Sequence, residues 1–310
     1  MSKSQSSNKK SKESTGFANK PALSLLRKSF RILGTLAPGL GARLAYKLFF
    51  TPQRHQAPPW ETRLNQTAEV LKMNFDGGNL NALSWGRGPS LLLIHGWGGR
   101  ATQMGAFVEP LRNAGFRVVA LDAPAHGASS GSQTDMIEYA AAINAVRREV
   151  APVTAIIAHS LGAACTLLSM ERHQFQVEKL ILIGTPASAI WVTESFAEVL
   201  SIPAHVIKRM RSLLERHYGN TFTWEDLSIE CMLSRNTIPT LLVHDKFDAE
   251  IPYWNALQLA KCSPSSALVT TEGQGHRRIL RHEHVISKCV EFLRPASAPE
   301  KAGLAPSTDR

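Results

Sequence analysis

Between residues 90 and 271 the chain carries short runs in which nearly every side chain is apolar: Leu91-Leu92-Leu93-Ile94, Val118-Val119-Ala120-Leu121, Ala155-Ile156-Ile157-Ala158, Leu180-Ile181-Leu182-Ile183 and Leu241-Leu242-Val243. Successive side chains of a strand point to opposite faces, so a run of this kind must be covered on both. Cover is available in the intervening stretches, which have helical spacing near 103–114, from Asp135 with Glu138 three residues on, after Ser160, from about Pro252, and near 280–293. Strand-like runs at 68–75 and 79–85, separated by Asp76-Gly77-Gly78, add a hairpin, and Ala267–Thr271 adds a last strand. The alternation predicts an α/β fold, a mainly parallel sheet with helices on both faces, over residues 65–294.

The rest of the chain departs from this pattern. Residues 1–20 are Ser, Lys and Asn with almost nothing to bury and are expected to form a disordered basic tail; the Pro/Ala/Ser-rich stretch 295–310 is expected to be a flexible one. Over 21–50, apolar residues recur every three or four positions with Arg27, Lys28, Arg31, Arg43 and Lys47 between them, which predicts two amphipathic helices hinged near Pro38-Gly39. A proline-bearing linker completes the extension to residue 64. Between Pro186 and Pro239 about fifty helix-prone residues interrupt the alternation, and residues 187–238 are expected to form a helical cap inserted above the sheet.

Composition narrows the function classes. With 44% hydrophobic and 19% charged residues in 310, the chain can bury a core. The net charge of +10 is confined to the start: residues 1–50 hold seven Lys, three Arg and one Glu, leaving +1 for the other 260. A basic patch spread over a folded face with stacking aromatics is missing, so no nucleic-acid partner is expected. The extension is expected either to brace the body of the protein or to touch an anionic membrane surface peripherally. Cys165, Cys231, Cys262 and Cys289 are widely spaced, without a CxxC or Cys/His cluster, so no metal site and no disulfide framework is expected. No apolar run approaches the roughly 18 residues of a membrane span and no signal peptide is evident, so the expected location is cytoplasmic, with membrane contact at most peripheral.

The chemistry concentrates in three segments. Ile156-Ile157-Ala158-His159-Ser160-Leu161-Gly162-Ala163-Ala164 places a serine between a buried strand and a helix, flanked by the small residues that a nucleophile elbow needs. Leu93-Ile94-His95-Gly96-Trp97-Gly98-Gly99 runs from a strand into a glycine-rich turn whose backbone N–H groups can face a cavity. It lacks the Gly-Lys-Ser/Thr ending of a phosphate loop and the GxGxxG spacing of a dinucleotide site. The N–H groups of Trp97 and Leu161 are therefore the candidates for receiving an oxyanion. Downstream, His244-Asp245-Lys246-Phe247-Asp248-Ala249-Glu250 puts acids just past a strand, and Gly275-His276 puts a histidine in the loop after the next. A serine nucleophile needs a base, and the base an orienting acid. His95, His126, His159, His282 and His284 are read as structural or exposed, and Arg277-Arg278 as solvated, with orienting the loop or binding an acidic substrate group as the alternative.

Over roughly residues 65–293 the sequence resembles a serine-dependent α/β-hydrolase. The residues that carry the resemblance are His95-Gly96-Trp97-Gly98-Gly99, Asp122-Ala123-Pro124-Ala125-His126-Gly127, Ala158-His159-Ser160-Leu161-Gly162, Asp248-Ala249-Glu250-Ile251-Pro252 and Gly275-His276. The family pattern at the acid, Gly-x-x-Asp-x-x-Val/Ile-Pro, maps Asp248 onto the acid and leaves Asp245 where glycine is usual. The resemblance implies a carboxylic ester or thioester substrate, a small-molecule acyl compound, cleaved through an acyl-enzyme by Ser160, His276 and Asp248 without a cofactor. It covers esterases, lipases, thioesterases and peptidases or amidases alike, and leaves a catalytically idle binding module as the alternative of another class. Trp191 and Phe196, apolar residues of the insertion, are the candidate substrate-binding side chains. Nothing in the sequence specifies an oligomeric state.

Overall fold

The computed structural model describes residues 20–294. The tails expected at 1–20 and 295–310 therefore lie, Lys20 apart, outside the described residues. In chain order the elements are α1 (Lys20–Leu36), α2 (Pro38–Phe49), α3 (Pro59–Asn65), β1 (Glu69–Phe75), β2 (Gly78–Trp85), β3 (Ser90–Ile94), α4 (Val108–Asn113) and β4 (Arg117–Asp122). They continue with α5 (Met136–Glu149), β5 (Val153–His159), α6 (Leu161–Arg172), β6 (Lys179–Ile183), α7 (Ala189–Leu200), α8 (Ala204–His217), α9 (Ile229–Ser234) and β7 (Thr240–Asp245). The last are α10 (Trp254–Cys262), β8 (Ser266–Thr271), α11 (Gly275–Arg278) and α12 (Glu283–Leu293). The helix expected near 103–114 is split: residues Ala101–Phe107 form a 3-10 turn and only then does α4 begin. Within that turn Gly105 lets Leu64 of α3 come close, since a Cβ there would lie 2.2 Å from the leucine side chain.

The elements group into two compact units that do not follow chain order. Of the described residues, one combines α1 and α2, to Phe49, with Trp191–Thr223; the other combines Phe50–Ile190 with the residues from Trp224 to Arg294.

The second unit is the α/β layer structure. Its eight strands run in the order β1-β2-β4-β3-β5-β6-β7-β8. The pairs β1/β2 and β2/β4 are antiparallel, and the others are parallel. Period-two alternation sorts the apolar runs. Leu91, Leu93, Val118, Ala120, Ala155, Ile157, Ile181 and Ile183 share one buried cluster with Met104, Phe107 and Leu111, and with Val285 and Cys289 of α12. Their neighbours Leu92, Ile94, Val119, Leu121, Ile156 and Leu182 are just as buried, and α6 packs against β3 and β5. Because β4 lies on one side of β3 and β5 on the other, the chain switches direction across the sheet at β3, and it is outside the carboxyl ends at such a switch point that open α/β sheets place their ligands.

The first unit is helical. Phe30, Ala42 and Ala45 of α1 and α2 are buried together with Leu200, Ile202, Val206, Ile207 and Met210 of the inserted segment. Two polar ties reinforce this core: Arg27 Nε–H donates to the Val199 carbonyl at 2.9 Å, and His205 Nε2–H to the Gly34 carbonyl at 2.9 Å. The apolar face of the N-terminal extension thus finds its partner in the insertion. Among the described residues no helix is long and apolar enough to cross a membrane.

Two neighbouring positions on α1 test this assignment. Phe30 is fully buried and Ile32 is 59% exposed. Phe30→Ala should cost about 3–5 kcal/mol through lost transfer energy and the cavity left behind. Ile32→Ala should stay within about 0.5 kcal/mol. Hydrogen exchange of the amides of α1, α2 and α8 measures both; equal effects would show that α1 does not bury the Phe30 face.

Candidate active site

Three side chains from three carboxyl-end loops of the sheet converge. Ser160 stands alone between β5 and α6, with φ 55° and ψ −130°, a conformation that non-glycine residues rarely hold. The reversal from strand to helix within one residue works only if nothing bulky lies beside it. A Cβ on Gly162 would come 2.1 Å from the His95 carbonyl oxygen, and one on Gly96 would come 2.8 Å from the Ser160 Cβ. The loop after β3 and the start of α6 therefore touch backbone to backbone. Ala158, at the position where the elbow pattern has its first glycine, is fully buried within β5.

His276, from the loop after β8, places Nε2 2.8 Å from the Ser160 Oγ. Its Nδ1 lies 2.7 Å from Asp248 Oδ2, in the loop after β7. A carboxylate can only accept, so Nδ1 carries the proton and Nε2 presents its lone pair to the serine. The other Asp248 oxygen accepts the backbone N–H groups of Glu250 and Ile251, each at 2.8 Å. All three side chains are buried.

Asp245 does something different. Its Oδ2 accepts the Thr271 hydroxyl and the Gln274 N–H at 2.8 Å each, and Oδ1 accepts the Phe247 N–H at 3.0 Å. Burial alone would raise this carboxyl, but the donors from Gln274, Thr271, Gly275 and Phe247 bring it below its ordinary value. It touches the backbone leading to His276 and ties β7 to that loop, in the place where glycine is usual.

Sequence reasoning missed part of this support. His244, at the end of β7, donates Nε2–H to the Ile251 carbonyl at 2.8 Å and stands 3.6 Å from Asp248 Oδ2. A histidine directly after the apolar run Leu241-Leu242-Val243 was the available signal. His159 donates Nε2–H to the His276 carbonyl at 2.9 Å, while its buried Nδ1 finds no partner among the described residues. Arg54, from the linker, reaches the carbonyls of Ala125, Ser129 and Gly131. Arg100 pairs in a bidentate manner with buried Glu61 of α3, which also accepts the Thr102 hydroxyl.

Of the remaining predicted residues, Leu161 opens α6 next to Ser160, and Trp97 follows Gly96 in the loop that abuts the serine. Trp191 and Phe196 lie on α7 in the helical unit, where the Phe196 ring meets Phe49 at 5.0 Å. Arg277 pairs with Glu250 at the surface. Among the described residues no group of three or more His, Cys, Asp or Glu side chains is placed to hold a metal ion.

A family model described as the alpha/beta hydrolase family matches residues 91–288. The chain belongs to that family. It is 24% identical over 246 residues to a pimeloyl-[acyl-carrier protein] methyl ester esterase of Aromatoleum aromaticum, spanning 66% of this chain and 97% of that protein. Among solved structures it superposes on a bacterial membrane phospholipase A with a TM-score of 0.58, 19% identity and coverage of 88% of this chain and 96% of that one. An esterase of Exiguobacterium antarcticum gives a TM-score of 0.55 at 21% identity, covering 70% of this chain and 96% of that one. At these identities the structural likeness is one of fold.

In this hydrolase the two loops beside the serine are fastened by uncharged histidines. His95 accepts the Ala123 N–H on Nε2 at 3.1 Å, and its Nδ1–H meets the Gly96 carbonyl at 2.7 Å. His126 accepts the Gly98 N–H on Nε2 at 3.0 Å, and its Nδ1–H meets the Pro124 carbonyl at 2.9 Å. Each ring thus needs one acceptor and one donor nitrogen, which only the neutral form offers. Burial lowers His95 to about 4; burial, with His95 beside it, lowers His126 to about 3. Asp122 joins the same loops, accepting the Ala101 N–H at 2.7 Å and the Ala128 N–H at 2.9 Å.

The sign of the pH dependence follows. Below about pH 6.5 an unfolded chain protonates these rings and the folded one does not, so protons favour unfolding. Stability to urea should be flat above pH 6.5 and fall as the pH drops from 6.5 toward 4, by up to about 1.4 kcal/mol per unit per ring. His126→Gln, which retains an acceptor for Gly98, should flatten the slope. A slope unchanged by that substitution would mean that His126 is not held neutral by the fold.

Proposed function

We propose that this alpha/beta hydrolase cleaves a carboxylic ester or thioester through an acyl-enzyme on Ser160. The observation that carries the reading is the unbroken hydrogen-bonded path from Asp248 through His276 to the Ser160 hydroxyl, at 2.7 and 2.8 Å, buried beside a glycine-rich turn. In the first half-reaction His276 Nε2 takes the hydroxyl proton as Oγ attacks the acyl carbon. The tetrahedral oxyanion receives the N–H groups of Leu161 and Trp97. Collapse breaks the bond to the alcohol or thiol, which leaves with the proton held on Nε2. In the second, water gives a proton to His276, its oxygen attacks the acyl carbon, and the acid is released as the proton returns to Ser160. Asp248 stays ionised throughout and holds the imidazole tautomer.

The methyl ester esterase relative supports the ester side of this reading. Burial pushes the Cys165 thiol well above its ordinary value and Cys289 to about 12, which argues against a cysteine nucleophile. All four cysteines are unpaired, which favours a reducing compartment, so we assign the enzyme to the cytoplasm.

Turnover of a series of nitrophenyl esters and thioesters, with fluorophosphonate labelling, tests the mechanism. Ser160→Ala and His276→Ala should each lower kcat by about 10³-fold or more, and the double variant should lose no more than either alone, because the groups act as a unit. Ser160→Ala should also abolish labelling. Most of the activity surviving in pure Ser160→Ala protein would overturn the reading.

The two aspartates separate in the same assay. Asp248→Asn should cost about 10⁴-fold, since the amide orients the wrong tautomer. Asp245→Asn should cost less than about tenfold in turnover while lowering stability by about 1–3 kcal/mol through loosened hydrogen bonds. The reverse ranking would give Asp245 the orienting role.

A further inference from the structure

We propose that the helical unit docks on an anionic lipid bilayer through the outer face of α1 and the start of α2, lying in the interface without crossing it. The inference is independent of the reaction proposed above and survives or fails separately from it.

The first observation is an apolar stripe left outside. Leu25, Ile32 and Leu36 are spaced seven and four residues apart, so they share one side of α1, and Leu40 follows at the start of α2. They are 67%, 59%, 79% and 57% exposed. This stripe is distinct from the face already used inside the unit, where Phe30 is fully buried and Leu23 and Leu26 pack against the same cluster.

Charge supplies the second, independent observation. In sequence, residues 1–49 and 191–223 together contain fourteen Lys and Arg against four Glu, which is the whole net charge of the chain; the remaining residues have twenty-one of each sign. On the described helices Lys28, Arg31, Arg43, Lys208 and Arg209 are exposed. Lys28 stands three residues after Leu25 and four before Ile32, directly beside the stripe. Aliphatic side chains can enter the headgroup boundary while neighbouring Lys and Arg stems extend to the phosphates.

A protein partner fits less well. Interface hot spots favour Trp and Tyr anchors, whereas Phe30 and Phe49 of α1 and α2 are turned inward, the latter against Phe196. A second copy of the chain would bring two units of like charge together. An anionic bilayer meets both the apolar stripe and the positive field.

Sedimentation of the full chain with vesicles provides the test, using phosphatidylglycerol mixed with phosphatidylcholine and phosphatidylcholine alone. At about 0.05 M salt the protein should bind the anionic vesicles, and binding should be at least about tenfold weaker on neutral vesicles or at about 0.5 M salt. The combined variant Leu25→Ser, Ile32→Ser, Leu36→Ser changes only exposed positions; it should keep its Tm and lose at least about tenfold in vesicle binding. Lys28→Glu with Arg31→Glu should weaken binding mainly at low salt. Absence of binding to anionic vesicles at low salt would overturn the proposal. So would undiminished binding by the triple serine variant, which would assign attachment to other residues, or a full-length dimer that this variant turns into a monomer, which would assign the stripe to a second copy.

Discussion

The carboxyl edge of the sheet is organised by one close approach: the first turn of α6 lies against the backbone of the loop after β3, where a single methyl group on Gly162 would strike the His95 carbonyl. That proximity sets the serine and the glycine-rich turn side by side and forces Ser160 into its strained backbone conformation. Strain of this type costs about 1–3 kcal/mol. The helix that imposes it buries Leu167, Leu168 and Met170, each contributing about 1.5–3 kcal/mol. Packing therefore outweighs strain, and the turn is held by its neighbours on either side instead of relaxing.

Polar groups at this edge divide by how many donors reach them. Asp245 is reached by the N–H or O–H groups of Gln274, Thr271, Gly275 and Phe247 and stays charged although burial opposes it. His95 and His126 each receive one donor and give one, so burial keeps them neutral. His159 is likewise lowered by burial and by His276 beside it, which leaves its Nε2–H fixed on the His276 carbonyl. Neutral rings suit this place. A permanent positive charge next to His276 would resist the imidazolium that proton transfer from Ser160 must create.

The sheet was legible because its central strands carry short apolar runs, bounded by turn residues and alternating with stretches of helical spacing. Ser160, Asp248 and His276 were legible because each stands at a strand end with small or turn-forming neighbours, and because a family pattern separates Asp248 from Asp245. What pairing alone decides stayed hidden. His244 reads as one more strand residue until the Ile251 carbonyl is placed beside it. Glu61 falls in what reads as a linker and carries no signal until Arg100, far along the chain, closes on it. Phe196, read from sequence as a candidate substrate-binding residue, packs within its own unit against the cluster around Phe30 and meets the Phe49 ring, contacts that the sequence does not announce.

For the N-terminal extension, bracing and membrane contact present themselves from sequence as competitors, since apolar residues at three- and four-residue spacing serve both. The circumference of α1 removes the competition. Phe30, Leu23 and Leu26 take one sector for the core shared with α8, Lys28 and Arg31 take another, and Leu25, Ile32 and Leu36 fill a third that the unit's own core does not use. Periodicity reports that a helix has an apolar side, not how many partners that side is divided between. Because residues 191–223 belong both to this unit and, covalently, to the connection between β6 and β7, a surface that holds α1 holds the insertion as well.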